Sequence, residues 1–151
     1  MSRLAKVMVV DDTPQNVKLL ADLLRVKGFD VAAAASGEEA LAMLPAEKPD
    51  LVLLDVMMPG LSGYDVCRCI RADSETALLP IVLVTALDPQ DERLKGIEAG
   101  ADDFVSKPIN QAELVARVRS LLRIKALQDE VRRQANELKE WNAKLEERVT
   151  E

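Results

Sequence analysis

Histidine is missing from all 151 residues. Its absence excludes Ser-His triads, His-ligated zinc and any histidine in this chain that could carry a phosphoryl group. Phosphate chemistry here would therefore depend on a histidine in another protein. Aromatic residues are scarce: one Trp, one Tyr and two Phe. With a formal net charge of -6, the chain offers neither the basic stripe nor the stacking platform of a nucleic-acid surface, and direct nucleic-acid contact is not expected. The two cysteines, Cys67 and Cys69, stand two apart in a helical pattern and point to different sides, so they cannot pair with each other and fit a reducing, cytoplasmic setting. No apolar run approaches the ~20 residues of a membrane span, and the N-terminus lacks a signal-peptide pattern.

Globular structure is nevertheless well supported, since 48% of residues are hydrophobic and the length suits one domain. The acidity is not spread evenly. Residues 1–120 carry 13 basic and 19 acidic side chains, whereas residues 121–151 carry seven of each.

Short apolar runs alternate with helix-length amphipathic segments. Lys6–Val10 reads as a strand stopped by Asp11-Asp12, and Pro14 opens a helix with Val17, Leu20 and Leu24 at helical spacing. Asp30–Ala35 is a weaker strand, and Ser36-Gly37-Glu38-Glu39 starts a second helix. Leu51–Leu54 and Ile81–Val84 are apolar at every position, as strands buried on both faces are. Helices are predicted after Gly63 and over Gln90–Ala99, a fifth strand at Phe104-Val105, and a last helix from an N-cap near Asn110. Five strand–helix repeats imply an α/β fold with a parallel sheet and helices on both faces.

That last helix has no internal stop. From Gln111 to Glu151 there is neither Gly nor Pro, enough for one helix of about 60 Å. Beyond Arg123 its apolar residues form heptads, with Ile124, Val131, Leu138 and Leu145 at a and Leu127 and Trp141 at d, while Gln134 and Arg148 fill the other d sites. A parallel two-stranded coiled coil is the simplest partner for such a stripe.

Sites in open parallel sheets form outside the carboxyl ends of the strands. Asp11-Asp12 follow the first strand, Asp55 the third, Thr85 the fourth and Lys107 the fifth, so these groups should converge on one rim. Carboxylates this close repel one another unless a cation sits among them. Oxygen-only donors suit Mg²⁺, and the arrangement reads as a site prepared for a phosphoryl group with Asp as nucleophile.

The segments Val9-Val10-Asp11-Asp12, Leu53 to Gly63 (LLDVMMPGLSG), Val84-Thr85-Ala86 and Gly100 to Pro108 (GADDFVSKP) together resemble the response regulator receiver domain of two-component signal transduction. The likeness covers about residues 4–122. It implies a flavodoxin-like, doubly wound five-stranded parallel sheet of order 2-1-3-4-5 with five helices, the last greatly extended. Residues 1–122 would be the receiver, and 123–151 a coiled-coil linker toward an output domain beyond Glu151.

By the same resemblance, Asp55 is the phosphoacceptor for a phosphohistidine on a sensor histidine kinase or histidine phosphotransfer protein, or for a small acyl phosphate. Asp12, Asp55 and the Met57 carbonyl would ligate Mg²⁺, with Asp11 holding the ion directly or through water. Lys107, set by a cis peptide to Pro108, would neutralise phosphoryl charge. Thr85 and Phe104 would be the switch pair: Thr85 draws toward the phosphoryl group, and Phe104 fills the vacated space. Met57 and Leu87 occupy the positions that influence hydrolysis, and neither can orient water, so slow self-dephosphorylation is expected and no classical turnover beyond it. The family implies homodimerisation through the helix 4, strand 5 and helix 5 face, here continued by the coil. The tail resembles linkers that lead to nucleotide cyclase or histidine kinase modules. An Asp-nucleophile phosphatase is disfavoured because Asp11-Asp12-Thr13-Pro14 lacks the D-x-D pattern, and a vestigial assembly module because every site residue is present.

Overall fold

The computed structural model describes residues 4–86 and 89–150, and the side chains of all of these but 89–93 and 147–150. Five parallel strands, β1 (Lys6–Val10), β2 (Asp30–Ala34), β3 (Leu51–Asp55), β4 (Ile81–Thr85) and β5 (Asp103–Ser106), stand in the order β2-β1-β3-β4-β5. They alternate with α1 (Pro14–Val26), α2 (Gly37–Glu47), α3 (Gly63–Ala72), α4 (Pro89–Ala99) and α5 (Gln111–Thr150). This is the predicted doubly wound sheet. Among the described residues no helix is long and apolar enough to cross a membrane.

Period-two alternation along each strand divides the interior into two cores. Val7, Val9, Leu51, Leu53 and Val82 pack with Leu20 and Leu24 of α1 and Leu114 and Val118 of α5. Their sequence neighbours Met8, Val10, Val52, Leu54, Ile81 and Leu83 face the other way, against Ala40 and Leu44 of α2, Val66, Cys67 and Ile70 of α3, and Ala99 of α4. Both faces of the sheet are covered, which is why β3 and β4 are apolar at every position before their last. Cys67 is fully buried while Cys69 is exposed. Burial pushes the Cys67 thiol up to about 11, so it stays protonated and acts as a small core residue.

Local chemistry sets the helix starts. Ser36 Oγ accepts from the Glu39 N–H; Ser62 and Asp65 form a reciprocal capping box at α3; and Asn110 Oδ1 accepts from the Glu113 N–H at 3.1 Å, the N-cap expected there. The rim opposite the strand C-termini is held by Arg71, which donates to the carbonyls of Gly100 (2.8 Å) and Leu79 (2.6 Å) and to Asp102 Oδ2 (2.7 Å). The same Asp102 oxygen accepts from the Ile81 N–H, so one guanidinium ties α3 to the starts of β4 and β5.

α5 extends far past the body as a continuous 40-residue helix. Ile124, Leu127, Val131, Leu138, Trp141 and Leu145 are all exposed along it. At about 100° per residue this stripe lies roughly opposite the side carrying Leu114 and Val118. The side chain of Arg148, the last heptad position named above, lies outside the described residues.

Candidate phosphoryl and metal site

Parallel strands deliver their C-terminal residues to one rim, and here the four ends carry the polar groups. Asp55 closes β3 and Thr85 closes β4; they are 4% and 1% exposed, and Asp11, immediately after β1, is 3% exposed. Among the described residues these are the only buried polar or charged side chains, and burial of this kind is costly unless each group is partnered. Asp12 is exposed beside them. One carboxylate oxygen from each of Asp11, Asp12 and Asp55 lies within 4.8 Å of the others.

Lys107 reaches the same point from the β5–α5 connection. Its Nζ lies 3.4 Å from Asp55 Oδ1 and 4.0 Å from Asp11 Oδ2. The Lys107–Pro108 peptide is cis, as expected, and the Lys107 N–H donates to the Thr85 carbonyl at 2.7 Å. The lysine loop is thereby fastened to the end of β4. Asp11 is oriented from below: its Oδ1 accepts from the Thr13 N–H at 2.9 Å.

The Asp55 carboxyl titrates above the usual carboxylate range. Desolvation is the main cause and the neighbouring Asp11 adds to it, while Lys107 and the Met57 backbone N–H oppose the shift. One ammonium does not balance three carboxylates. The remaining charge and the all-oxygen donor set fit a hard divalent cation such as Mg²⁺.

The loop after Asp55 is shaped by contacts that motif reading alone does not give. Gly63 N–H donates to the Val56 carbonyl. A Cβ on Gly63 would lie 2.5 Å from the Asp55 carbonyl oxygen and 2.8 Å from Val56 Cα, so only glycine allows α3 to start this close to the site. Glu38, on α2, accepts from the Leu61 N–H across 23 residues of sequence. Met57 leaves its side chain exposed while its backbone N–H meets Asp55. Phe104 is half-buried against the α2–α4 core. Leu87 lies outside the described residues, and with it the part of the hydrolysis expectation that it carries. The structure thus brings Asp11, Asp12, Asp55, Thr85 and Lys107 together, and Glu38 and Gly63 are the additional residues that hold the site loop.

The chain is similar to known proteins. The family described as "Response regulator receiver domain" matches residues 7–119. The "Response regulator PleD" of Caulobacter vibrioides is 48% identical over 128 residues, covering 85% of this chain and 28% of that protein. The "DNA-binding response regulator MtrA" of Mycolicibacterium smegmatis is 48% identical over 118 residues, covering 78% of this chain and 50% of its own length. The chain therefore spans half or less of these curated relatives. Among solved structures, the Vibrio cholerae chemotaxis protein CheY4 superposes with a TM-score of 0.75 at 28% identity, covering 79% of this chain and 99% of that one.

Proposed function

The chain belongs to the response regulator receiver domain family, and from that premise we propose that Asp55 accepts a phosphoryl group from a partner's phosphohistidine and that α5 passes the change onward. The observation that carries this reading is the buried Asp55 carboxylate at the meeting point of Asp11, Asp12 and Lys107. One Asp55 oxygen forms the new P–O bond as the P–N bond to the partner's imidazole breaks, and the leaving imidazole takes a proton from solvent. The Lys107 ammonium, already beside Asp55, receives the charge of the transferred oxygens. Asp12, Asp55 and the Met57 carbonyl, with Asp11, would hold Mg²⁺. The ion supplies charge neutralisation at a loose phosphoryl-transfer transition state. Thr85, fixed at the end of β4, presents its hydroxyl to the same place, and Phe104 follows it.

The output end of the proposal rests on α5. A second copy pairing in parallel along the stripe from Ile124 to Leu145 would cover side chains that are otherwise exposed, on the side away from the body's core. The charge balance of residues 121–151 and the linker-like tail favour a connector to a further domain, of the nucleotide cyclase kind. A stand-alone receiver acting by protein contact is the alternative. Incubation with acetyl phosphate and Mg²⁺, followed by peptide mass mapping, should place a hydroxylamine-labile phosphoryl group on Asp55. No label, or a label elsewhere, would end the reading.

A further inference from the structure

Gly96 opens the last turn of α4, and nothing in its backbone calls for glycine. The glycines with positive φ are Gly28, Gly60 and Gly100, whereas a glycine inside a helix costs about 1 kcal/mol relative to alanine. The reason for it is steric. A Cβ built at Gly96 would lie 2.2 Å from Phe104 Cζ, 2.4 Å from Phe104 Cε1 and 3.0 Å from Leu83 Cδ1. The ring of Phe104 occupies the space that a methyl group would take. On the same helix Leu94 and Ile97 are 62% and 60% exposed, so Gly96 faces inward and its neighbours face outward.

The sheet register extends this contact to the site. Phe104 pairs with Leu83, and two residues further along Ser106 pairs with Thr85. With a strand period of two, the side chains of Phe104 and Thr85 lie on the same face of the sheet, under α4. We propose that Gly96 is the positioning residue that seats Phe104 against α4, so that ring and helix move together and a change at Asp55 and Thr85 reaches the exposed Leu94 and Ile97. This inference rests on the receiver reading above, and it adds the residue through which the helix is engaged.

The test is hydrogen exchange of the α4 amides in the full chain, with and without beryllofluoride and Mg²⁺. In the natural sequence, ligand addition should change α4 protection about fivefold or more, the lower range for coupled sites. Gly96→Ala should bind beryllofluoride with little change in affinity, because the atoms nearest position 96 belong to Phe104 and Leu83 and not to the carboxylates, Thr85 or Lys107, yet lose most of that α4 response. Shortening the ring should relieve the clash. Gly96→Ala combined with Phe104→Leu should therefore melt at a higher temperature than Gly96→Ala alone, or fold where the single variant does not. A full α4 response in Gly96→Ala, or no recovery in the double variant, would overturn the inference. Failure of the natural chain to bind beryllofluoride would instead overturn the receiver reading.

Discussion

The body and the tail of this molecule meet the same physical requirement in opposite ways. In the body, the central strands β1, β3 and β4 have both faces covered, and the charged groups that must be buried lie within reach of Lys107 or backbone N–H groups. In the tail, six large apolar side chains are exposed along one side of α5. The tail's own supports are solvent-exposed pairs: Lys125 with Asp129, and Arg133 with Glu130 and Glu137. Pairs of this kind are screened by solvent and contribute little to stability. The body can be stable by itself, whereas the tail is stable as a helix only to the extent that something covers its stripe. A self-contained unit suits a chemical receiver, and an incomplete one suits a connector.

The sharpest way to separate the two regions is to disable one and measure the other. Asp55→Asn should abolish acyl-phosphate labelling completely in mass spectrometry, while sedimentation of the unphosphorylated chain stays as before. The reverse experiment replaces Leu127 and Leu138 with Lys. Burial of each leucine contributes about 1.5–3 kcal/mol, so the double change should weaken self-association at least ~100-fold by analytical ultracentrifugation, with labelling at Asp55 retained. If it removed labelling too, the two regions would not be independent.

A smaller effect lies in the titration of Asp55. Its folded-state pKa is raised by burial and by Asp11, so the folded state holds this proton more tightly than the unfolded state does. The stability associated with the neutral carboxyl is fully present below the ordinary Asp range and is lost as pH rises through the raised value. Without Mg²⁺, Asp55→Asn should therefore raise the melting temperature near neutral pH and leave it almost unchanged at low pH. Mg²⁺ should stabilise the natural chain but not this variant. The smallest expected effect concerns Tyr64, whose phenol oxygen is enclosed without a hydrogen-bond partner. Tyr64→Phe should stabilise the body by about 1 kcal/mol in denaturant unfolding and leave the tail unchanged.

Legibility in the sequence follows the range of the interactions. Leu51–Leu54 and Ile81–Val84 announce central strands because both faces are apolar, and the polar residues that end the strands announce the site because topology gathers them at one rim. The heptads of α5 are equally local. Long-range contacts are not visible in this way. The three bonds of Arg71 reach partners 8, 29 and 31 residues away, and Glu38 reaches Leu61 across 23. Gly96 reads as a helix-weakening glycine until the β4–β5 register places Phe104 beneath it. Pro45 lies inside α2, although proline usually marks a helix boundary; it sits in the last turn, where one lost N–H bond interrupts little of the helix.

The way α5 is anchored also has a mechanical consequence. Leu114 and Val118 fasten the helix to the body near its start, and some thirty residues extend beyond that attachment to Thr150. The arrangement is a lever with its fulcrum at the edge of the body. A tilt of about 5° at the fulcrum would carry the far end through about 4 Å, at ~1.5 Å of rise per residue. Displacements too small to remodel the body would still arrive at the tip as a change comparable to most of a helical turn.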